Sequence, residues 1–145
     1  MEKAILIVGK HEAGKSTLCK LMGRHGWPFI YSDVVVSFAQ DSSVVFKEIG
    51  VEKWFWEVID IIHTNKNNRC LIDIGSGFLE HPLAVSVLKA LKLPTITISK
   101  TGQDLGYYCE TVVHTGNRTV LDSLDYLLEL VNEIEYQYAR KNKTN

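Results

Sequence analysis

The chain has 145 residues, 46% of them hydrophobic, and a formal net charge of −1 at pH 7. That length suits one domain with a full core and no second one, and the near-neutral charge, without a basic stripe, excludes a nucleic-acid binder that relies on neutralising phosphates. No stretch approaches the roughly twenty apolar residues that cross a bilayer, and Cys19, Cys70 and Cys109, an odd set without metal-type spacing, read as reduced thiols of a cytoplasmic protein.

Glu2 and Lys3 lead straight into Ala4 to Val8, a wholly apolar run of the kind found in a central strand covered on both faces. Gly9 to Thr17 follow as Gly-Lys-His-Glu-Ala-Gly-Lys-Ser-Thr, an unbroken fit to the phosphate-binding pattern GxxxxGK[ST]. The chemistry asks for these residue types. Glycines let the backbone of Gly9, Glu12, Ala13, Gly14, Lys15, Ser16 and Thr17 curl so that successive N–H groups face phosphates. Lys15 adds a mobile cation, Ser16 a hydroxyl for Mg²⁺, and the helix that starts there its positive end. His11 and Glu12 fill variable positions of the pattern and are not expected to be catalytic. Leu18, Leu21 and Met22 carry the helix over Lys15 to Met22, until Gly23 and Gly26 stop it.

Further strands are predicted at Phe29 to Tyr31, Cys70 to Ile74, Thr95 to Ser99 and Thr111 to His114. Helices are predicted at Val34 to Ala39, Val51 to Thr64, Leu83 to Leu91 and Val120 to about Arg140, with residues 135–145 as a partly frayed tail. In the last helix Leu121, Leu124, Leu128, Val131 and Ile134 form one apolar stripe, and Thr119 with Asp122 resembles a capping box. Apolar runs alternating with amphipathic segments mean an α/β fold: a three-layer sandwich with a five-stranded parallel sheet, of the P-loop NTPase type.

The order of these features resembles shikimate kinase, a small member of the nucleoside-monophosphate-kinase group, over most of the chain. Tyr31-Ser32-Asp33 stands where that family has an Asp-Ser-Asp-like motif, and Glu48, Gly50 and Phe55 match its Glu-x-Gly-Glu-x-x-Phe-Arg segment. Gly75-Ser76-Gly77 match its Gly-Gly-Gly turn. The resemblance implies that Asp33 holds the acceptor hydroxyl near its proton, and that Trp56, Gly75, Ser76 and Gly77 border the acceptor pocket. Three departures fall on chemistry. Tyr31 takes the first acid's place, and Trp56 stands where the family has an arginine, so the bidentate partner for a substrate carboxylate is gone. The family's lid, an arginine-bearing helical excursion between the fourth and fifth strands, shrinks to Lys100 to Glu110, which contains no arginine.

Asp73, in the apolar run Leu71 to Ile74, has the placement of the Mg²⁺-supporting acid of many phosphate-loop enzymes and could replace the acid lost at Tyr31; it also fits a strand-end aspartate bonded to a nearby N–H. Asp33 equally fits a helix N-cap. Arg118 follows the last strand, where related proteins place adenine, and reads either as a base-stacking side chain or as an exposed loop arginine. Trp54, Phe55 and Trp56 are consecutive, so on one helix at least one ring is exposed or lines the acceptor cleft. His25, His63, His81 and His114 show no metal spacing.

Two functions stay open. One is an ATP- or GTP-binding, Mg²⁺-dependent small-molecule phosphotransferase or slow NTPase that does not act on shikimate, with Lys15 and Asp33 catalytic and Ser16 and Asp73 at the metal. The other is a degenerate nucleotide-binding sensor or subunit that docks a protein partner or a second copy of itself. Membrane and nucleic-acid partners are not expected.

Overall fold

The computed structural model describes residues 1–9, 13–31, 51–74, 78–79, 81–100 and 111–144. Its central strand, β1 (Ile5–Gly9), is buried along its whole length. Around it lie β2 (Phe29–Tyr31), β3 (Leu71–Asp73), β4 (Thr95–Ser99) and β5 (Val112–His114) in the order β2-β3-β1-β4-β5. Every pairing is parallel. The β-branched, apolar strand sequences suit such a sheet because helices cover both faces.

The helices are α1 (Lys15–Arg24), α2 (Val51–Asn65), α3 (Ala84–Leu91) and α4 (Val120–Thr144). Alternation along β1 divides the core. Ala4, Leu6 and Val8 pack with Trp54, Phe55, Val58 and Ile62 of α2 and with Leu88 of α3. Ile5 and Ile7 pack on the other face with Leu18, Cys19 and Met22 of α1 and with Leu124, Leu127 and Val131 of α4. The three-layer α/β sandwich with five parallel strands is therefore what the residues build.

Boundaries and a few roles differ from the sequence reading. Gly23 does not stop α1, which runs on to Arg24; a Cβ at Gly23 would lie 2.7 Å from the Phe29 ring, so this glycine lets β2 pack against the helix. The stop is at Gly26, whose φ is 86°. Around it Trp27 N–H donates to Met22 O at 3.1 Å and Gly26 N–H to Gly23 O at 3.2 Å, the Schellman pattern. The α4 cap is as expected on one side, with Asp122 N–H donating to Thr119 Oγ1 at 3.1 Å. Leu121 leaves the apolar stripe: it is 69% exposed, whereas Leu127 is fully buried. The helix then continues past Arg140 to Thr144, and Tyr138 Oη donates to Ala4 O at 2.8 Å. The predicted helix at Val34 to Ala39 lies outside the described residues.

Candidate functional site

β1 delivers Gly9 to the carboxyl edge of the sheet, where only glycine fits: a Cβ there would lie 2.6 Å from Ile98 O of β4. At the far end of the loop Gly14 caps α1 in the left-handed region, with φ 93° and ψ 8°, a conformation that favours glycine. Leu18 N–H closes the first helical turn on Gly14 O at 3.0 Å. Ser16 and Thr17 are exposed on that turn, and Lys15 is buried.

Lys15 turns inward. Its ammonium is paired with the Asp73 carboxylate and donates to Ile74 O at 2.7 Å. Strand alternation explains the meeting: Leu71 faces α1 and Ile72 faces α2, so Asp73 returns to the α1 side, in register with Ile7 of β1. Burial pushes the Asp73 carboxyl up, and the Lys15 ammonium beside it pulls it back without cancelling the burial. Below the pair on α1, burial also pushes the Cys19 thiol up, reinforced by the Asp73 charge. Tyr31 is the register partner of Asp73 on the neighbouring strand. Asp73 thus stands at the same height in the sheet as Tyr31, one strand closer to β1.

On the opposite side of the loop the segment after β5 closes in. Thr115 Oγ1 donates to Ala13 O at 2.8 Å, and Thr115 N–H to Ser99 O at 2.7 Å. Arg118 is exposed, its guanidinium 4.6 Å from the centroid of the Tyr126 ring. A strand ending at Gly9, a helix beginning at Lys15 behind Gly14, and a strand-end acid paired with that lysine thus meet at one edge of the sheet.

No family model matches the chain, and neither does any curated protein. Solved structures do. The shikimate kinase of Bacteroides thetaiotaomicron superposes with a TM-score of 0.70 at 17% identity, over 91% of this chain and 99% of that one. The shikimate kinase of Aquifex aeolicus gives 0.67 at 16% identity, over 90% of this chain and 96% of that one. A gluconokinase of Sinorhizobium meliloti gives 0.56 at 14% identity, over 94% of this chain and 97% of that one. The fold is that of the shikimate-kinase-like P-loop kinases.

In this P-loop kinase fold the second face of interest is formed by the first turn of α2. Lys3 N–H donates to Lys66 O at 2.8 Å, which pins the end of α2 to the amino edge of the sheet and so leaves its first turn at the carboxyl edge. There Trp54 and Phe55 are buried while Trp56 is 44% exposed. Glu52 organises the turn: Trp56 Nε1–H donates to Glu52 Oε1 at 3.0 Å, and His81 Nε2 lies 2.6 Å from Glu52 Oε2. Because His81 Nδ1 accepts from Leu83 N–H at 3.0 Å, Nε2 carries the proton and donates. The imidazole also stacks on Phe55, with 3.8 Å between centroids and 9° between planes. The bonds from His81 and Trp56 hold the Glu52 carboxyl below the usual range.

Among the residues singled out in the sequence, the structure brings Lys15 and Asp73 into contact and places Gly9, Ala13, Gly14, Ser16 and Thr17 on one loop and turn. Trp56 and Arg118 lie on other elements and belong to separate local contacts. Glu12, Asp33, Gly75, Ser76 and Gly77 lie outside the described residues. Sequence reasoning missed Thr115, Glu52 and His81. The first carries no signal beyond a Thr-Gly pair after a strand, and His81 carries no local signal because its partner Glu52 is 29 positions away.

Proposed function

We propose that this chain binds ATP or GTP with Mg²⁺ in the cytoplasm and acts as a small-molecule phosphotransferase or slow NTPase, and that shikimate is not its acceptor. The observation that carries this is the loop from Gly9 to Thr17 with the buried Lys15–Asp73 pair beneath it. Lys15 is held at the mouth of the loop by a carboxylate and a carbonyl, two anionic or dipolar oxygens. Phosphate oxygens offer the same kind of partner, so the lysine can exchange one charge-assisted bond for another. In this reading Lys15 holds the β and γ phosphates while the first-turn N–H groups of α1 face them.

The donor set around Lys15, the Ser16 hydroxyl and the Asp73 carboxylate, is hard oxygen and small in number, which suits a cation that keeps several of its waters. Mg²⁺ when bound supplies charge neutralisation on the phosphates, with Ser16 in its shell and Asp73 beside its waters. Asp33 acts as acceptor anchor or base, Gly75, Ser76 and Gly77 line the acceptor pocket, and Arg118 stacks on the base. The acceptor edge presents Trp56 and the ionised Glu52 where a carboxylate-binding site needs an arginine, and like charge disfavours an anionic acceptor there. Calorimetry with Lys15→Ala tests the binding half: unchanged ATP affinity in that variant sinks it.

The second reading, a degenerate nucleotide sensor or subunit, is favoured by the exposure of Trp56 at 44% and Leu83 at 45%, together with the arginine-free segment from Lys100 to Glu110. Sustained phosphate transfer to a metabolite, abolished by Asp33→Asn, excludes a purely regulatory role.

A further inference from the structure

Thr115 contacts the phosphate loop from outside, on a segment that sequence reasoning assigned to the nucleotide's base. Its Oγ1–H donates to Ala13 O at 2.8 Å, and its methyl Cγ2 is the nearest side-chain atom to the space beside Gly14, 4.0 Å from where a Cβ would stand. The hydroxyl has one proton, and the more distant Ser99 O, at 3.4 Å, already accepts Thr115 N–H at 2.7 Å. Gly116 keeps the segment close: its N–H donates to Lys100 O at 2.9 Å, and a Cβ at Gly116 would lie 2.1 Å from that same oxygen. Thr115 is thus clamped to the end of β4 on one side and to the loop on the other.

The consequence follows from peptide geometry. No cis peptide bond occurs among the described residues, and a trans peptide holds its C=O and the next N–H in one rigid plane, pointing in opposite directions. Turning Ala13 C=O toward Thr115 therefore turns Gly14 N–H away from it. Gly14 tolerates that orientation because its φ of 93° is open to glycine.

We propose that Thr115 is a positioning residue that aims the Gly14 N–H into the phosphate-binding concavity, so that the β5–α4 junction presets the phosphate loop independently of any contact with the base. This rests on the nucleotide-binding reading given above.

Mg-ATP and inorganic tripolyphosphate, each titrated calorimetrically into the wild type, Thr115→Val and Thr115→Ser, test it. Valine keeps the methyl and removes the donor. It is expected to weaken both ligands by the same factor, about fivefold to tenfold, the scale of one oriented hydrogen bond. Serine restores the hydroxyl and is expected to retain wild-type affinity for both. Thr115→Ala is a second donor-free variant, expected to show the same equal loss, and covers failure of the valine variant to fold. Wild-type tripolyphosphate affinity in the folded donor-free variants overturns the proposal, as does a loss confined to Mg-ATP, which would place the effect at the base. A serine variant as weak as valine overturns it too, since packing rather than the bond would then matter. Failure of the wild type to bind either ligand would instead remove the nucleotide reading itself, and this one with it.

Discussion

Lys15 and Asp73 each stand out in the sequence, one by its motif and the other as a lone acid in an apolar strand. Their pairing could not be read there, because the two residues are 58 positions apart and meet only through the register of β3 on β1. The pairing changes what mutations test. Removing Lys15 deletes the proposed phosphate ligand and also strands a buried carboxylate. Lys15→Ala is therefore expected to lose about 3–5 kcal/mol of stability, and the double variant with Asp73→Asn to recover part of it; urea unfolding of the wild type, both single variants and the double checks this, and additive losses would mean that the pair is not coupled. Glu52 makes a different prediction. Its carboxyl is held below its ordinary value of 4.5 by bonds from His81 and Trp56, so the stability it contributes is fully present above that value and is lost as pH falls through the lowered folded-state value. The gap in urea midpoint between wild type and Glu52→Gln should be open at neutral pH and close in acid. A gap that is constant with pH would show that the His81 and Trp56 bonds do not depend on the charge.

The elements were legible from periodicity, and the close approaches between them were not. Each strand and each helix among the described residues has a counterpart in the sequence reading, since apolar runs and 3.6-residue stripes are local signals. The misassigned Leu121 shows the limit of such a stripe: it continues the pattern but stays exposed. Gly23 shows another, because a glycine read as a stop signal serves a contact with Phe29 of the next strand. Gly116 carries no local signal at all, yet a Cβ there would collide with the backbone at Lys100 O. Gly116→Ala should cost about 1–3 kcal/mol, the usual range for forcing extra atoms into a packed site, and should weaken nucleotide binding by moving Thr115. Differential scanning calorimetry reads the first effect; an unchanged Tm would mean that the junction relaxes freely. Phe55, stacked between His81 at 3.8 Å and Phe78 at 4.6 Å, is the corresponding anchor on the other face. Phe55→Ala should lose about 3–5 kcal/mol and release Trp56 and Glu52 from their fixed turn, seen as a change in tryptophan fluorescence anisotropy.

For the molecule as a whole, the parallel order β2-β3-β1-β4-β5 brings the phosphate loop, the Asp73 acid, the β5–α4 junction and the first turn of α2 to one edge of the sheet. Open α/β sheets bind ligands at that edge. The fold suits the proposed nucleotide binding, while the sequence offers less for hastening phosphoryl transfer: the segment from Lys100 to Glu110 contains no arginine, and arginines that stabilise the transferring phosphoryl contribute about a thousandfold or more elsewhere. Turnover by the isolated chain should accordingly fall below the roughly 1–100 s⁻¹ of working kinases. The most direct test of the account is calorimetric titration of Mg-ATP into the wild-type chain with tripolyphosphate as competitor. Saturable binding that tripolyphosphate displaces is the expected result. No saturable heat at millimolar nucleotide, or binding that tripolyphosphate leaves untouched, would contradict it.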